Sequence, residues 1–231
     1  MPPTSTDPAA LNTLSTTTAP TRPRGVWSRS VAAIYDPFLA LGERRGMRER
    51  RRRLLRGARG RVLEIGAGTG LNLAHYPGDL EELVLSEPVE PMARRLESRL
   101  QRSGLGGSVL RAGAEALPVA TASIDTVVST MVLCTVPDPE AALDEIRRVL
   151  RPDGRFLFCE HVRSGSSRRL RWQERLAGPW EVFADGCRCD QDTLGMIERT
   201  LCIERLEREE WQGMPGLVRP LIVGEAPVRR P

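Results

Sequence analysis

Arg61-Val62-Leu63-Glu64-Ile65-Gly66-Ala67-Gly68-Thr69-Gly70 is the stretch on which the reading of this chain turns. Residues 61–65 are short, mostly aliphatic and read as a strand. Three glycines at alternate positions follow, where the backbone can take positive φ and approach a ligand closely. Leu71 to His75 then reads as the opening of a helix. Strand, glycine turn and helix make the first half of a β-α-β unit.

The same alternation continues outward. Glu82-Leu83-Val84-Leu85-Ser86 is a second strand, and Met92, Leu96 and Leu100 mark a helix by their four-residue spacing. Val109-Leu110 sits in a short third strand and residues 124–131 form a fourth. Ala142, Leu143, Ile146, Val149 and Leu150 give a helical stripe stopped by Pro152-Asp153-Gly154, and Phe156-Leu157-Phe158-Cys159 is a fifth strand. Continuous apolar strands separated by helices imply a parallel sheet covered on both faces, an α/β fold of Rossmann-like type. Beyond His161 the chain shows a basic helical piece at 166–176, an irregular stretch at 178–192, and two late strands at 201–206 and 217–223. These predict an antiparallel last strand.

Toward the N-terminus, residues 1–24 are Thr, Ser, Pro and Ala with little to bury and read as a disordered tail. The domain then spans 25–228, with order expected from Val26-Trp27. Residues 30–41 have helical spacing interrupted by Pro37, and the Arg-dense run 43–61, including Arg50-Arg51-Arg52-Arg53, reads as a solvated helix face. All 34 basic residues are Arg, but 30 acidic residues leave a net charge of only +4, which argues against a nucleic-acid arm. Five cysteines, an odd number with Cys134 and Cys159 in apolar runs, predict buried free thiols in a reducing compartment. No apolar run approaches the roughly 18 residues of a membrane span. A soluble, cytoplasmic protein is expected, with peripheral membrane contact left open and the oligomeric state not legible.

The glycine turn departs from the dinucleotide fingerprint, whose third glycine would fall at Leu71; here it comes one residue early, at Gly70. Glu64, two residues before the first glycine, is unsuited to a pyrophosphate and suited to a ligand carrying an ammonium group, such as S-adenosylmethionine (SAM). Seventeen residues after Gly70, at the end of the second strand, Glu87 can accept both hydroxyls of a ribose.

Glu64-Ile65-Gly66-Ala67-Gly68-Thr69-Gly70, Ser86-Glu87-Pro88, Ala114-Glu115-Ala116-Leu117-Pro118 and Arg148-Val149-Leu150-Arg151-Pro152-Asp153-Gly154 together resemble the class I methyltransferases of the ubiquinone/menaquinone-biosynthesis type, over about residues 30–225. The resemblance implies a seven-stranded sheet with SAM over the carboxyl ends of the first strands. It places Gly66, Gly68 and Gly70 on the methionine part, Glu87 on the ribose, Ala114 and Glu115 beside adenine, and Thr130 and Met131 beneath the cofactor. Ala67 and Asn72 at the loop, with Pro88 and Met92 beyond Glu87, complete the expected set. Where the family often has Asp, this chain has Gly113, leaving backbone groups or Glu115 for the adenine amino group. Thr130 to Pro139, Phe158-Cys159-Glu160-His161-Val162 and Asp185-Gly186-Cys187 more closely resemble the branch containing alkyl-thiol S-methyltransferases. Animal members of that branch carry an N-terminal membrane anchor, and no such apolar segment is legible here.

Methyl transfer from a sulfonium is an in-line displacement that depends on alignment, and a thiol or phenol acceptor must also lose a proton. His161, just after the fifth strand, is the first candidate base and Asp185 the second; His75 reads as solvent-facing within the helix after the glycine turn. Cys187-Arg188-Cys189 with His161 is too sparse a pattern to assign a metal. The Asn/Asp-Pro-Pro-Tyr signature of base-amine methylation is absent, Ser129-Thr130-Met131-Val132 standing in its place. The expected activity is methyl transfer to a heteroatom of a small-molecule acceptor. Methylation of an ethanolamine phospholipid, or non-catalytic SAM or nucleic-acid binding through the Arg run, are the alternatives.

Overall fold

The computed structural model describes residues 35–228, so the tail assigned to 1–24 and the domain start at 25 lie outside the described residues. Seven strands form one sheet in the order β3-β2-β1-β4-β5-β7-β6. They are β1 (Arg61–Ile65), β2 (Glu82–Ser86), β3 (Ser108–Leu110), β4 (Ile124–Thr130), β5 (Leu150–His161), β6 (Arg205–Glu210) and β7 (Pro220–Pro227). The first five pair in parallel, and β7 runs antiparallel between β5 and β6. The strand order reverses at β1, with β2 on one side and β4 on the other, and ligands bind at such switch points in open α/β sheets.

The alternation of strand side chains divides the core in two. Val62, Leu85, Leu157 and Cys159 pack on one face with Leu54 and Leu55 of α2 (Arg48–Leu55) and Leu96 and Leu100 of α3 (Glu90–Ser103). Leu63, Ile65, Phe156 and Phe158 pack on the other face with Leu143 and Ile146 of α4 (Pro139–Val149) and Ile197 of α6 (Thr193–Thr200). The described part of α1, residues 35–42, joins α2 through a bulged turn, Glu43–Met47, in which Gly46 takes φ 119°. Pro37 lies inside the described helical segment.

Several sequence expectations are corrected here. The glycine turn opens no α-helix: only a single 3₁₀ turn, Leu73–His75, forms, and Tyr76 is extended at ψ 142°. The residue before a proline disfavours helix, and Pro77-Gly78 leaves too few residues for one. His75 sits in that turn half-buried. The stretch from 178 is not irregular at once, since α5 (Ser167–Phe183) runs through Pro179. Its last turn is held by aromatic contacts: Trp180 and Phe183 have ring centroids 5.5 Å apart, and Phe183 meets Phe38 of α1 edge-on at 6.1 Å. The late strands start three to four residues beyond the apolar runs that predicted them. β6 is an edge strand of sequence Arg-Leu-Glu-Arg-Glu-Glu, and its charges give hydrophobicity no purchase.

Those charges also account for the Arg run. Arg53 pairs with Glu207 at 2.9 Å and with Glu209, Arg50 pairs with Glu209, and Arg52 pairs with Glu49. Arg51 is not solvated at all; it is buried and reaches inward.

Candidate active site

The glycine loop sits at the carboxyl edge of β1, pinned to its neighbour by Ala67 N donating to Ser86 O at 2.9 Å. Gly66, Gly68 and Gly70 all have left-handed φ, at 55°, 58° and 85°. A Cβ on Gly66 would stand 2.6 Å from Val132 Cγ1, and one on Gly70 would stand 2.8 Å from side chains of Leu73 and Leu96. Gly68 differs: its Cβ would meet nothing nearer than Gly66 O at 4.0 Å, so this glycine faces open space. Glu87 is buried beside it, accepting Gly68 N at 2.9 Å and Val89 N at 2.8 Å. One carboxylate thereby ties the glycine loop to the turn that opens α3. Pro88 follows it, exposed, and Met92 is buried in the first turn of α3.

A buried polar chain supports the loop from below. Arg51 Nη1 donates to Asn72 Oδ1 at 2.9 Å, while its Nε donates to Glu43 at 3.1 Å. Asn72 Nδ2 donates to Glu64 Oε1 at 2.9 Å and to Thr130 Oγ1 at 3.1 Å, and Tyr76 OH donates to Glu64 Oε2 at 2.6 Å. Burial pushes the Glu64 carboxyl up to about 7, against the lowering effect of Tyr76, Asn72 and Arg51. A buried carboxyl raised in this way is favoured in its charged form by any cation brought near it. Above the loop, Thr69 donates to Asp36 of α1 at 2.7 Å, and Arg99 of α3 binds both.

On the β2 side, Ser86 Oγ donates to Ala112 O at 2.6 Å and Glu87 N to Leu110 O at 2.9 Å. Ala114 is buried and Glu115 half-buried. A Cβ on Gly113 would fall 2.7 Å from Glu115 Oε2, so the Glu115 carboxylate occupies the space a side chain at 113 would enter.

The carboxyl ends of β4 and β5 form the other half of the edge. Thr130 is buried, and Met131 takes φ 60° while donating to Cys159 O at 2.9 Å. A non-glycine residue in that region is strained, and such strain gathers at functional sites. Glu160 turns under this loop, accepting from Ser129 Oγ at 2.6 Å and from Val132 N; burial raises its carboxyl to about 7. His161 Nε2 lies 2.9 Å from Cys187 Sγ, and Cys134 completes a buried group whose ligand atoms all lie within 4.8 Å of one another. Trp180 Nε1 also donates to Cys187 Sγ, at 3.3 Å. Burial works against a charged His161, but the Cys187 sulfur outweighs it and the imidazole is raised; Cys187 is lowered by its contacts with Cys134 and His161.

Asp185 and Gly186 bring Cys187 there. Both are left-handed, at φ 50° and 95°, and they reverse the chain at the end of α5. Arg188 N then donates to Cys134 O at 2.8 Å, and Gln191 Nε2 to Leu133 O at 2.8 Å, tying the two loops together. Asp185 itself is half-buried on the shoulder of this turn. The partner that Cys187 and His161 share is Cys134, not Cys189, whose sulfur turns to Gln173 O at 3.8 Å.

The structure therefore gathers the expected residues along one edge, in two groups, one at the ends of β1 and β2 and the other at the ends of β4 and β5. Residues that sequence reasoning passed over are Arg51, Tyr76 and Tyr35. Burial holds the Tyr35 hydroxyl far above its ordinary range, with Cys134 and Glu87 adding to the effect and Arg51 opposing it. No local pattern marks the inward arginine among its neighbours, and Tyr35 is separated from the loop in sequence.

Residues 63–158 match the family described as Methyltransferase domain. The chain is 34% identical over 175 residues to the Homo sapiens thiol S-methyltransferase TMT1A, covering 71% of this chain and 69% of that protein. To Homo sapiens thiol S-methyltransferase TMT1B it is 32% identical over 227 residues, covering 87% and 89%. Among solved structures, the N-methyltransferase NodS from Bradyrhizobium japonicum, in complex with S-adenosyl-L-homocysteine, shares the fold with a TM-score of 0.58 at 20% identity, over 79% of this chain and 87% of that one. With the glycine loop at the switch point and Glu87 locked to it, these likenesses place the chain in the SAM-dependent methyltransferase family, and it is an enzyme of that family.

Proposed function

We propose that the protein transfers the methyl group of SAM to the sulfur of a small-molecule thiol. The observation that carries this reading is the buried Cys134–His161–Cys187 group at the carboxyl edge of β5, beside the cofactor loop, in a chain whose relatives are named thiol S-methyltransferases. Gly66, Ala67, Gly68 and Gly70 cradle the methionine part of SAM, and Glu64, held by Asn72, supplies the negative charge that balances its ammonium. Glu87 and Pro88 take the ribose, Ala114 and Glu115 the adenine, and Met92, Thr130 and Met131 close the pocket around the cofactor. His161 favours the thiolate form of the acceptor, and Asp185 is the second group available to the departing proton. Alignment of that sulfur with the sulfonium methyl supplies most of the acceleration.

The Arg run offers little to the lipid and nucleic-acid alternatives, because Arg50, Arg52 and Arg53 are ion-paired and Arg51 is buried. Among the described residues no helix is long and apolar enough to cross a membrane. The test is an acceptor screen with methyl-labelled SAM across alkyl thiols, phenols, quinol precursors and ethanolamine lipids. Label appearing in a thioether supports the reading. Label entering a phenol or a lipid amine, with thiols untouched, overturns it.

A further inference from the structure

Three of the five cysteine and histidine side chains buried in this fold converge, and two do not. Cys159 Sγ lies against Met47 Sδ at 3.9 Å and Cys189 Sγ against Gln173 O at 3.8 Å, each without a second thiol or an imidazole. Those two act as small core side chains. Cys134, His161 and Cys187 come from the β4–α4 loop, the end of β5 and the turn after α5, and meet with their ligand atoms within 4.8 Å. Nothing in core packing requires two thiols and an imidazole from such distant positions to face one another.

We infer that Cys134, His161 and Cys187 form a three-ligand site for Zn²⁺, whose fourth position takes the sulfur of the acceptor. The second half of this inference rests on the thiol reading proposed above; the first half does not. Two thiolates and an imidazole select a borderline-soft cation over Mg²⁺ or Ca²⁺. Zinc–nitrogen and zinc–sulfur bonds of about 2.0 and 2.3 Å at tetrahedral angles put nitrogen and sulfur about 3.5 Å apart. The observed His161 Nε2 to Cys187 Sγ distance of 2.9 Å has to open by only about half an ångström.

The ring offers Nε2, not Nδ1, to the Cys187 sulfur. His161 Nδ1 is buried and has no hydrogen-bond partner. Nε2 is therefore the one ring nitrogen with a polar contact, and that contact is to sulfur. Among the described residues no fourth Cys, His, Asp or Glu joins the group. Three protein ligands with an open position is the pattern of catalytic rather than structural zinc.

The site is also in the right place. β4 lies between β1 and β5, and neighbouring strands are about 4.8 Å apart, so the cluster lies about 10 Å along the edge from the glycine turn. Val132, two residues from Cys134, packs directly on Gly66. Trp180, in contact with Cys187, and Phe183 with Phe38 beyond it, give the outer side an apolar lining suited to an alkyl chain. When the acceptor R–SH binds, its sulfur replaces water on the cation and its proton leaves to solvent, directly or by way of Asp185, so that His161 favours the thiolate as a ligand of the cation and not by taking the proton. The sulfur–carbon bond then forms as the sulfonium–methyl bond breaks. A thioether and S-adenosylhomocysteine result, both neutral at sulfur, and the thioether yields the fourth position back to water.

The test uses the full chain, purified without chelator and analysed for zinc, then stripped and titrated with ZnCl₂ or CoCl₂. One metal per chain is expected, and the Co²⁺ form should show sulfur-to-cobalt charge-transfer absorption that changes when an alkyl thiol is added. Cys134→Ser, Cys187→Ser and His161→Gln should each weaken the metal tenfold or more, while Cys189→Ala leaves it unchanged. The Co²⁺ spectrum of the unaltered chain makes the test independent of whether any variant folds. A folded chain that takes up neither metal overturns the site; if it still methylates thiols, the function proposed above stands without it. Stoichiometric metal whose spectrum ignores thiols upholds the three-ligand site and overturns the acceptor's place in it.

Discussion

The two halves of the sheet's carboxyl edge are built by different means. On the cofactor side, β1, the glycine loop and Glu87 lie within 27 residues of one another, and backbone geometry does most of the work: positive φ at three glycines and one carboxylate bridging two turns. On the side proposed for the acceptor, Cys134, His161 and Cys187 are separated by 27 and 26 residues, and each is delivered by a different loop or strand end. Local sequence can encode the first kind of site; only the packing of distant elements can make the second. On the proposed reading, a locally encoded cofactor half beside a long-range acceptor half lets one fold keep its methyl donor while its acceptor varies.

The sharpest way to break this division is Gly68→Val. A β-branched residue is strained at φ 58° and projects into the open side of the loop. SAM binding measured by calorimetry should fall below detection, while the chain remains folded at a stability cost of about 1–3 kcal/mol. Retained affinity would remove the loop from the cofactor site. The converse change is His161→Gln, which should lower turnover by about 10²–10⁴ and leave SAM affinity within about threefold if the halves are separable. A matched loss of SAM affinity would show that they are not.

A smaller effect is expected from Glu87→Gln, which keeps the shape and removes the charge that accepts Gly68 N. Charge-assisted hydrogen bonds are worth about 1.5–3 kcal/mol, so the dissociation constant for SAM should rise about 10- to 100-fold. Methylation at saturating SAM should recover most of its rate.

The smallest effect is a pH dependence within the cofactor half. Glu64 has its folded-state pKa raised by burial from 4.5 to about 7. Its folded form therefore holds the proton more tightly than the unfolded chain does. The stability this contributes is fully present below about pH 4.5 and is lost as pH rises toward 7. Bound SAM brings positive charge and favours the ionised carboxylate, so SAM affinity should climb about three- to tenfold between pH 6 and 8. Calorimetry on Glu64→Gln should give a flat profile; an unchanged slope would assign the titration to another group.

Sequence periodicity placed β1 and β2 to the residue, because strands buried on both faces read as unbroken aliphatic runs between glycine and polar breaks. It misplaced β6, whose Arg and Glu side chains are satisfied by α2 rather than by burial, and cut α5 short at Gly178-Pro179, where Trp180 and Phe183 find partners that no local rule reveals. It read the whole Arg run as solvent-facing, although Arg51 is spent on Asn72 beneath the glycine loop.

By itself the sequence determined the parallel sheet, the glycine turn with Glu64 and Glu87, and membership of the methyltransferase family, all of them encoded within short segments by periodicity, backbone freedom and charge. Only the tertiary structure decided that Asn72 and Arg51 lie under the loop, that Cys187 pairs with Cys134 and not with its near neighbour Cys189, and that His161 faces sulfur. Each of those is a contact across 21 residues or more, set by how strands and loops stack at one edge, and no local spacing carries that information.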